Sequence, residues 1–403
     1  MLFFALMVVF FARRDYAGWA DVSRVFWKPV GIVALLRLPV LPQPALAAFS
    51  VAWKALLVLS ALGIFTRIST AGAFLLGTYL IGIPESFGKI HHADAILVWA
   101  MATLALSRSG DGWSVDALMR AARRPELPST PRSGEYTWPI RMMWLVMSII
   151  FFSAGVSKLR HGGLAFVTSD ALATHFIHSN YGLGRPAGAP LVDWGLWFAH
   201  HPVLCRAMGA GSLLFELALP LALFSRWARR LVVPGVFSLQ LGITFLMGPD
   251  FLRFAFCYLF WVPWEKIGVA LKKSTDTKNR HQFLYDGSCG LCQKTVAVLR
   301  RLDVLDRIVF RDALRDWPAI RTEFPTLSQE ACLENMHVVT ASGRVETGFD
   351  AYRAISWSLP LLWPIAPLLY VPLVPTVGRR VYAAVARGRH RGGCPVPTRS
   401  AAP

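Results

Sequence analysis

The sequence predicts a multi-pass α-helical membrane domain that is followed by a smaller α/β domain. Hydrophobic residues make up 54% of the 403 residues and charged residues only 16%, and the mean hydropathy is +0.44. Apolar blocks of about helix length fill the chain up to residue 265, whereas short strand and helix patterns alternate after residue 280. Lipid is the best explanation of such an excess of apolar surface.

The charge of the chain points to anionic lipid and not to nucleic acid. The formal net charge is +18, but the basic residues lie mainly between the apolar blocks and near the C-terminus. A basic stripe interleaved with stacking aromatic residues is not evident. We therefore expect a bilayer with anionic headgroups as partner, and no nucleic acid.

The first domain, residues 1–265, is predicted to hold seven or eight spanning helices. A short first helix is expected within residues 1–14, and the further apolar blocks are 45–65, 69–83, 93–106, 142–156, 207–224, 231–247 and 251–264. Several blocks are shorter than the roughly 20 residues that cross a bilayer upright, so half-helices are among the expectations. Between them, residues 111–124 have the pattern of an amphipathic helix at the membrane interface.

Basic residues in the short loops predict the orientation. If the helices alternate, the basic residues of four regions fall on one side: residue 67 and the segments 120–132, 226–230 and 266–280. This side is the cytoplasmic one by the positive-inside rule. We therefore expect an integral, multi-pass cell-membrane protein with its C-terminal domain in the cytoplasm.

The C-terminal domain follows a basic linker at 266–280, spans 281–392 and ends in a tail at 393–403. The segment "QFLYDG" predicts a strand, 289–302 a helix and "RIVFRD" a second strand. The segment "MHVVTASGRVETG" predicts a hairpin that turns at 341–344. Prolines interrupt the apolar segment that starts near residue 360, so a spanning helix is not expected there. We expect this segment to lie on the membrane surface and to end in a basic amphipathic helix.

Two cysteines three residues apart, Cys289 and Cys292, stand where the first strand turns into the helix. At a helix start, unpaired backbone N–H groups and the helix dipole favour a thiolate, so Cys289 is the predicted nucleophile. Cys292, one turn on, is placed to resolve a mixed disulfide. Two other interpretations stay open: half of a zinc site, which lacks a second pair, and an inert pair.

The segments "LYDGSCGLC", "SGRVETGFDAYRAI" and "PLLWPIAPLL...VYAAVARGRHR" resemble the DCC family (DUF393) of thiol-disulfide oxidoreductase-like proteins. The resemblance implies a thioredoxin-like fold and makes Asp286, Cys289 and Cys292 the signature positions. One departure concerns substrate exchange. No proline precedes the "MHVV" strand, where thioredoxin has its substrate-binding cis-proline.

Ionisable residues inside the apolar blocks are further candidates, because they are costly in a membrane. Glu216 lies within a helix, Lys158 follows the run that starts at residue 142, and His91 and His92 stand at a helix entrance. Each also has a structural interpretation. Glu216 would then be a protonated hydrogen-bonding group, Lys158 an anchor to phosphates, and the histidines interfacial side chains.

The motifs "AGVSKL", "WSVDAL" and "FLMGPDFLRFAF" resemble the HTTM domain, the membrane domain shared with vitamin K-dependent gamma-carboxylases. The resemblance implies that Lys158 is a base acting on a hydroquinone and that His92, or His91, helps to position the reaction. It implies a quinone, menaquinone or vitamin K-like, as cofactor. Separately, we expect no metal site. Two departures are Gln240, where relatives carry histidine, and the absence of a large propeptide-binding domain.

Three functions follow from these patterns. The first is a membrane-anchored thiol-disulfide oxidoreductase coupled to a quinone, with a thiol or disulfide protein as partner. The second is a carboxylase- or epoxidase-like enzyme that uses a quinol in the membrane half. The third is a membrane scaffold without enzymatic activity.

Overall fold

The computed structural model describes residues 1–88, 92–125, 133–181, 192–248, 251–273 and 280–391. The chain divides into two compact units. The first unit consists of residues 1–111 and 131–262, and the second of residues 112–130 and 263–403. The second unit therefore includes a segment that interrupts the first unit in the sequence.

All the regular secondary structure in the described residues of the first unit is helical. Its α-helices are α1 (Leu2–Phe11), α2 (Gly31–Leu35), α3 (Gln43–Leu62), α4 (Thr66–Glu85), α5 (His92–Leu106), α7 (Trp138–Gly162), α8 (Ala165–Thr168), α9 (Ala171–Tyr181), α10 (Val192–Ala199), α11 (Pro202–Ala218), α12 (Leu221–Phe224), α13 (Arg226–Met247) and α14 (Leu252–Ala255), while α6 (Val115–Arg123) belongs to the second unit. A 3-10 helix, Phe256–Phe260, continues α14.

The core of the first unit forms around Trp53 of α3, which is fully buried. Its indole N–H donates to the Ala73 carbonyl of α4 at 2.9 Å. Gly77, also on α4, lets the ring approach, because a Cβ at this position would lie 2.7 Å from the indole nitrogen. The predicted apolar blocks thus fold as helices that pack on one another.

Three described helices are long and apolar enough to cross a membrane: α3, α7 and α13. The helices Arg253–Phe260 and Trp264–Lys272 are bent by 66° relative to each other. If they form one broken span, they are a fourth candidate for a membrane crossing. Helices Leu2–Phe11 and Asp94–Leu106 are apolar but shorter. The prediction that the first unit is helical is confirmed. The predicted number of helices that cross the membrane stays a prediction.

The second unit contains a four-stranded mixed sheet. Its strands are β1 (His281–Tyr285), β2 (Ile308–Asp312), β3 (His337–Val339) and β4 (Val345–Thr347). The strand order is β2-β1-β3-β4, with β1 parallel to β2 and antiparallel to β3, and β3 antiparallel to β4. The helices are α6, α15 (Trp264–Lys273), α16 (Gly290–Leu302), α17 (Trp317–Glu323), α18 (Gln329–Glu334), α19 (Gly348–Ser356) and α20 (Val374–Arg391).

Alternate residues of β1 face two separate cores, as expected of a sheet that is covered on both sides. Phe283 packs with residues of α16 and α19, including both Cys289 and Cys292. Leu284 packs on the other side, with Ile320 of α17 and Cys332 of α18. The sheet therefore separates the cysteine pair from Cys332.

The predicted strands, the helix after Cys289 and the hairpin are confirmed. Gly343 closes the hairpin turn with φ +80, which glycine adopts without strain. The predicted linker is partly helical, since α15 covers residues 264–273. Helix α6 is confirmed as a helix, and it packs against α16, with Leu118 contacting the core that holds the cysteine pair.

Candidate functional site

The cysteine pair lies where β1 ends and α16 begins. Cys289 is the N-cap residue of α16, and its carbonyl accepts the first helical hydrogen bond, from the Gln293 N–H at 3.0 Å. Cys292 lies in the first turn of the same helix. The N–H groups of this turn point towards the N-cap position, so negative charge on the Cys289 sulfur is favoured there.

The turn before the pair is held by its own side chains. Asp286 is buried, and its Oδ1 accepts from the Ser288 N–H at 2.9 Å and from the Ser288 hydroxyl at 2.7 Å. Its carbonyl accepts from the Cys289 N–H at 3.3 Å. The Gln293 side-chain amide donates to the Gly287 carbonyl at 2.7 Å. These bonds favour a positioning role for Asp286, whose predicted catalytic role stays a prediction.

Asp312, at the end of β2, supports the turn from the neighbouring strand. Its Oδ1 accepts from the Gly287 N–H at 3.2 Å and from the Leu314 N–H at 2.9 Å. A Cβ at Gly287 would lie 1.9 Å from Asp312 Oδ2, so a side chain at this position would have to displace the carboxylate. The sequence reasoning missed Asp312. The signal was available, because β1 and β2 are parallel and their carboxyl ends, Tyr285 and Asp312, pair in register.

Both cysteines are buried: Cys289 is 1% exposed and Cys292 is 0% exposed. They belong to the same apolar core as Met336 and Ala351, against which Leu118 of α6 also packs. A thiol at the N-cap of a helix with a second thiol one turn on can carry out disulfide exchange. A large substrate reaches a sulfur this deeply buried only if the surrounding elements open.

Cys332 has a different environment from the pair. It is buried on the opposite side of the sheet, and burial raises the pKa of its thiol to about 11. It is therefore protonated at neutral pH and a poor nucleophile. Among the described residues, no group of three or more histidine, cysteine or carboxylate side chains could hold a metal ion.

Met336 precedes β3, at the position where the sequence lacks a proline. Its N–H donates to the Tyr382 hydroxyl at 3.1 Å, and its carbonyl accepts from the Gly348 N–H at 3.0 Å. No cis peptide bond occurs in the part of the chain that the structure describes. The Met336 N–H is thus bonded to α20.

In the first unit, the structure brings together two residues that the sequence singled out separately. Lys158, in the last turns of α7, forms an ion pair with Glu216 of α11 and donates to the Ser212 hydroxyl at 3.2 Å. Its ammonium also lies 5.4 Å from the ring centre of Phe166. Glu216 is buried, and among the described residues its Oε2 has no hydrogen-bond partner. The pair neutralises both charges in apolar surroundings.

The predicted histidines are not joined to this pair by any described contact. His92 is the first residue of α5, and its side chain lies outside the described part of the structure. His91 lies outside the described residues altogether. The neighbouring Asp94 is buried and pairs with Arg253 and, at 3.5 Å, with Arg14. The sequence reasoning missed this cluster, because its members lie 80 and 159 residues apart.

Comparison with known protein families identifies a domain at the C-terminal end of the chain. Residues 283–394 match the family model described as DCC1-like thiol-disulfide oxidoreductase. Searches of curated proteins and of solved structures found no significant match. The resemblance of residues 1–265 to the HTTM domain stays a prediction. The family match confirms the resemblance at the C-terminal end, and it supports a DCC1-like thiol-disulfide oxidoreductase domain, with a redox role, at residues 283–394.

Proposed function

We propose that the protein is a membrane-anchored thiol-disulfide oxidoreductase in which Cys289 attacks and Cys292 resolves. The observation that carries this proposal is the position of the pair. Cys289 caps the N-terminus of α16 at the carboxyl end of β1, inside the segment that matches the DCC1-like family. Strand, turn, C-x-x-C and helix in this order are typical of a dithiol active site.

The reaction balances without a further cofactor. The Cys289 thiolate attacks one sulfur of a partner disulfide, which forms a mixed disulfide and releases the first partner thiolate. The Cys292 thiolate then attacks the Cys289 sulfur, closes the intramolecular disulfide and releases the second partner thiolate. The domain loses two electrons and two protons, and the partner gains them.

The sheet supports a thioredoxin-like fold for this domain. A parallel β1–β2 pair is joined through α16, and β3 and β4 add as an antiparallel hairpin beside β1. This order leaves the carboxyl end of β1 at the start of α16. The turn with the cysteine pair therefore lies at the carboxyl end of β1, where Asp312 of β2 accepts a hydrogen bond from the Gly287 N–H.

A redox titration tests the proposed function. The full chain is equilibrated at potentials between about −350 and −100 mV, and its thiols are then alkylated and mapped by mass spectrometry. We expect Cys289 and Cys292 to lose reactivity together, as one two-electron couple, while Cys332 does not titrate. If no Cys289–Cys292 disulfide forms at any potential, the oxidoreductase proposal is wrong and a scaffold role is favoured.

Membrane anchoring rests on the helices of the first unit. Helices α3, α7 and α13 have the length and composition of spans, and large apolar side chains such as Val51, Ile149 and Leu231 are exposed on them. Lipid would cover these side chains. We expect the full chain to stay in the membrane pellet after an alkaline wash, and its release would contradict the anchoring.

The basic loops favour a cytoplasmic position for the second unit. Glutathione and thioredoxin keep thiols reduced in that compartment, which favours a reductase or sensor role. A cysteine introduced at exposed Ser342 reports the side. An impermeant maleimide should label Ser342→Cys only after the cells are permeabilised, whereas labelling of intact cells would place the domain outside.

The ion pair of Lys158 and Glu216 favours a second candidate function, a quinone site in the first unit. A quinone accepts the two electrons that disulfide formation releases. Glu216 Oε2, which has no hydrogen-bond partner within the described ranges, fits a hydrogen-bonding ligand. Lys158 and Glu216 could hold or transfer a proton beside it. Quinol oxidation is measured in Lys158→Ala and, with added reductant, in Cys289→Ser. If only Lys158→Ala abolishes the oxidation, a carboxylase- or epoxidase-like reaction is favoured over a dithiol coupled to the quinone.

A further inference from the structure

Helix α20 and the segment before it carry exposed apolar side chains. A shallow groove of about 540 Å³ runs along the helix, and its surface is apolar throughout. Six of the residues that line the groove lie on α20: Val374, Val377, Gly378, Val381, Tyr382 and Val385. The helical members recur at intervals of three and four, so they occupy one face of α20.

The side chains along this face are unusually exposed for their type. Leu373 is 77% exposed, Val381 57% and Val385 49%. The preceding segment adds Trp363 and Leu368, which are 49% and 59% exposed. We call these residues and the groove the α20 surface. An apolar groove with further exposed apolar side chains in the same segment marks an interaction site.

Helix α20 is fixed to the body of the domain, so its outward face is set by the fold. Arg379 forms two hydrogen bonds with the Asp350 carboxylate, at 2.7 and 3.2 Å. Gly378 lies against the Phe349 ring of α19, where a Cβ would come within 2.4 Å of a ring carbon. The α20 surface is therefore a defined face and not a loose end of the chain.

The charge around the α20 surface decides which partner it fits. Between residues 360 and 391 the sequence contains five arginines and no acidic residue. Arg380 and Arg387 are exposed on the helix. Exposed apolar side chains, an exposed tryptophan and exposed arginines such as Arg380 and Arg387 are together typical of a segment that lies in the headgroup region of an anionic bilayer.

We propose that the α20 surface docks the second unit onto the surface of an anionic bilayer. The apolar side chains enter the boundary between headgroups and acyl chains, and the arginines bind lipid phosphates. The inference rests on the proposed membrane anchoring, because the tether keeps the domain at a high local concentration of lipid. Docking restrains the orientation of the cysteine-bearing domain relative to the membrane.

Photo-crosslinking of the full chain in lipid nanodiscs tests this proposal. Val381 is replaced by the photo-reactive p-benzoylphenylalanine, and discs of phosphatidylcholine alone are compared with discs that also contain phosphatidylglycerol. We expect phospholipid adducts at position 381 in the anionic discs and few in the neutral ones. The matched control carries the same photo-reactive residue at Leu314, which is 43% exposed outside the α20 surface, and should give few adducts in either disc.

Charge variants separate lipid recognition from simple proximity. Each arginine near an anionic surface strengthens binding roughly fivefold, so Arg380→Gln with Arg387→Gln should lower docking about 25-fold. The control, Arg321→Gln with Arg344→Gln, removes two exposed arginines elsewhere in the domain and should leave the adduct yield unchanged.

Three results would overturn the proposal: equal adduct yields at positions 381 and 314, equal yields in the two kinds of disc, or a crosslinked product with the mass of two protein chains. The last result would assign the surface to a second copy. The redox titration of Cys289 and Cys292 on the same sample reports the proposed function independently. An alkaline wash of the membranes from which the protein is purified reports the anchoring. A failure of the oxidoreductase function or of the anchoring can therefore be told apart from a failure of docking.

Discussion

At the scale of residues, the turn between β1 and α16 depends on the absence of a side chain at Gly287. The Asp312 carboxylate occupies the place that a Cβ would take, and it is held there by the N–H groups of Gly287 and Leu314. A side chain at Gly287 must push this carboxylate away and break at least one of these bonds. The position of Cys289, two residues on, depends on the same turn.

We predict that Gly287→Ala destabilises the second unit by about 1–3 kcal/mol, the usual cost of overpacking a fitted site. Alkylation of buried Cys332 in increasing urea measures this in the full chain, because its thiol reacts when the domain unfolds. Gly290→Ala is the control, since no atom lies within 4 Å of a Cβ at Gly290. Equal effects of the two substitutions would contradict the assigned contact.

Asp312→Ala supplies a second check of the same contact. In that background, the space next to Gly287 is open, so the additional cost of Gly287→Ala should largely disappear. If the stability losses of the two single substitutions simply add in the double variant, the alanine at 287 acts through backbone freedom and not through Asp312.

The sequence was informative about residues whose chemistry is local. Cys289 and Cys292 were predicted from their spacing at a helix start, and the structure places them there. Asp312 was missed because its contact with Gly287 spans 25 residues. Lys158 and Glu216 were each predicted, but their pairing depends on how α7 packs on α11, which single-residue reasoning does not show.

At the scale of elements, α6 lies in the sequence between the two segments of the first unit but packs with the second unit. Its buried face is formed by Ser114, Ala117 and Ala121, and Leu118 contacts the core around the cysteine pair. The same helix exposes Trp113 and Met119. Its packing on α16 makes α6 one of the elements that control how easily the cysteines become accessible.

We predict that Leu118→Ala speeds alkylation of the reduced cysteine pair in the native full chain by about tenfold. Removing this partly buried side chain costs roughly 1–2 kcal/mol of packing, and local opening becomes more frequent by the corresponding factor. Quantitative mass spectrometry of alkylated Cys289 and Cys292 measures the rate.

Met119→Ala is the matched control, because Met119 lies next to Leu118 on the exposed side of α6. This variant should alkylate at the rate of the unmodified chain. If both variants behave alike, α6 does not limit access to the pair, and the opening involves other elements of the domain.

The amphipathic pattern of α6 predicted the helix but not its partner. An apolar face with arginines behind it suits a membrane interface and a protein surface equally well. The strands and the hairpin were easier to predict, because their alternation, turn residues and breaks are encoded within a few positions. For α20, the sequence indicated a basic amphipathic helix, and the structure adds the apolar groove beside Phe349.

At the scale of the whole molecule, the sequence predicted a change from apolar helices to an α/β domain near residue 265, and the structure divides the chain at 262. The insertion of residues 112–130 into the second unit was not predictable, since it depends on contacts between segments more than 150 residues apart in the chain. Helices of the first unit were predicted from hydropathy alone. Their membrane crossings are a separate property, which length and composition support for α3, α7 and α13.

Trapping the mixed disulfide tests most directly whether Cys289 attacks a disulfide partner and Cys292 releases it. The full chain is expressed as Cys292→Ser and as Cys289→Ser, and covalent adducts are compared on non-reducing gels. Without the resolving thiol, the Cys292→Ser variant should accumulate a partner bound through Cys289 that reductant releases. The Cys289→Ser variant should trap no partner. Adducts that form equally in both variants, or in neither, would contradict the assigned roles.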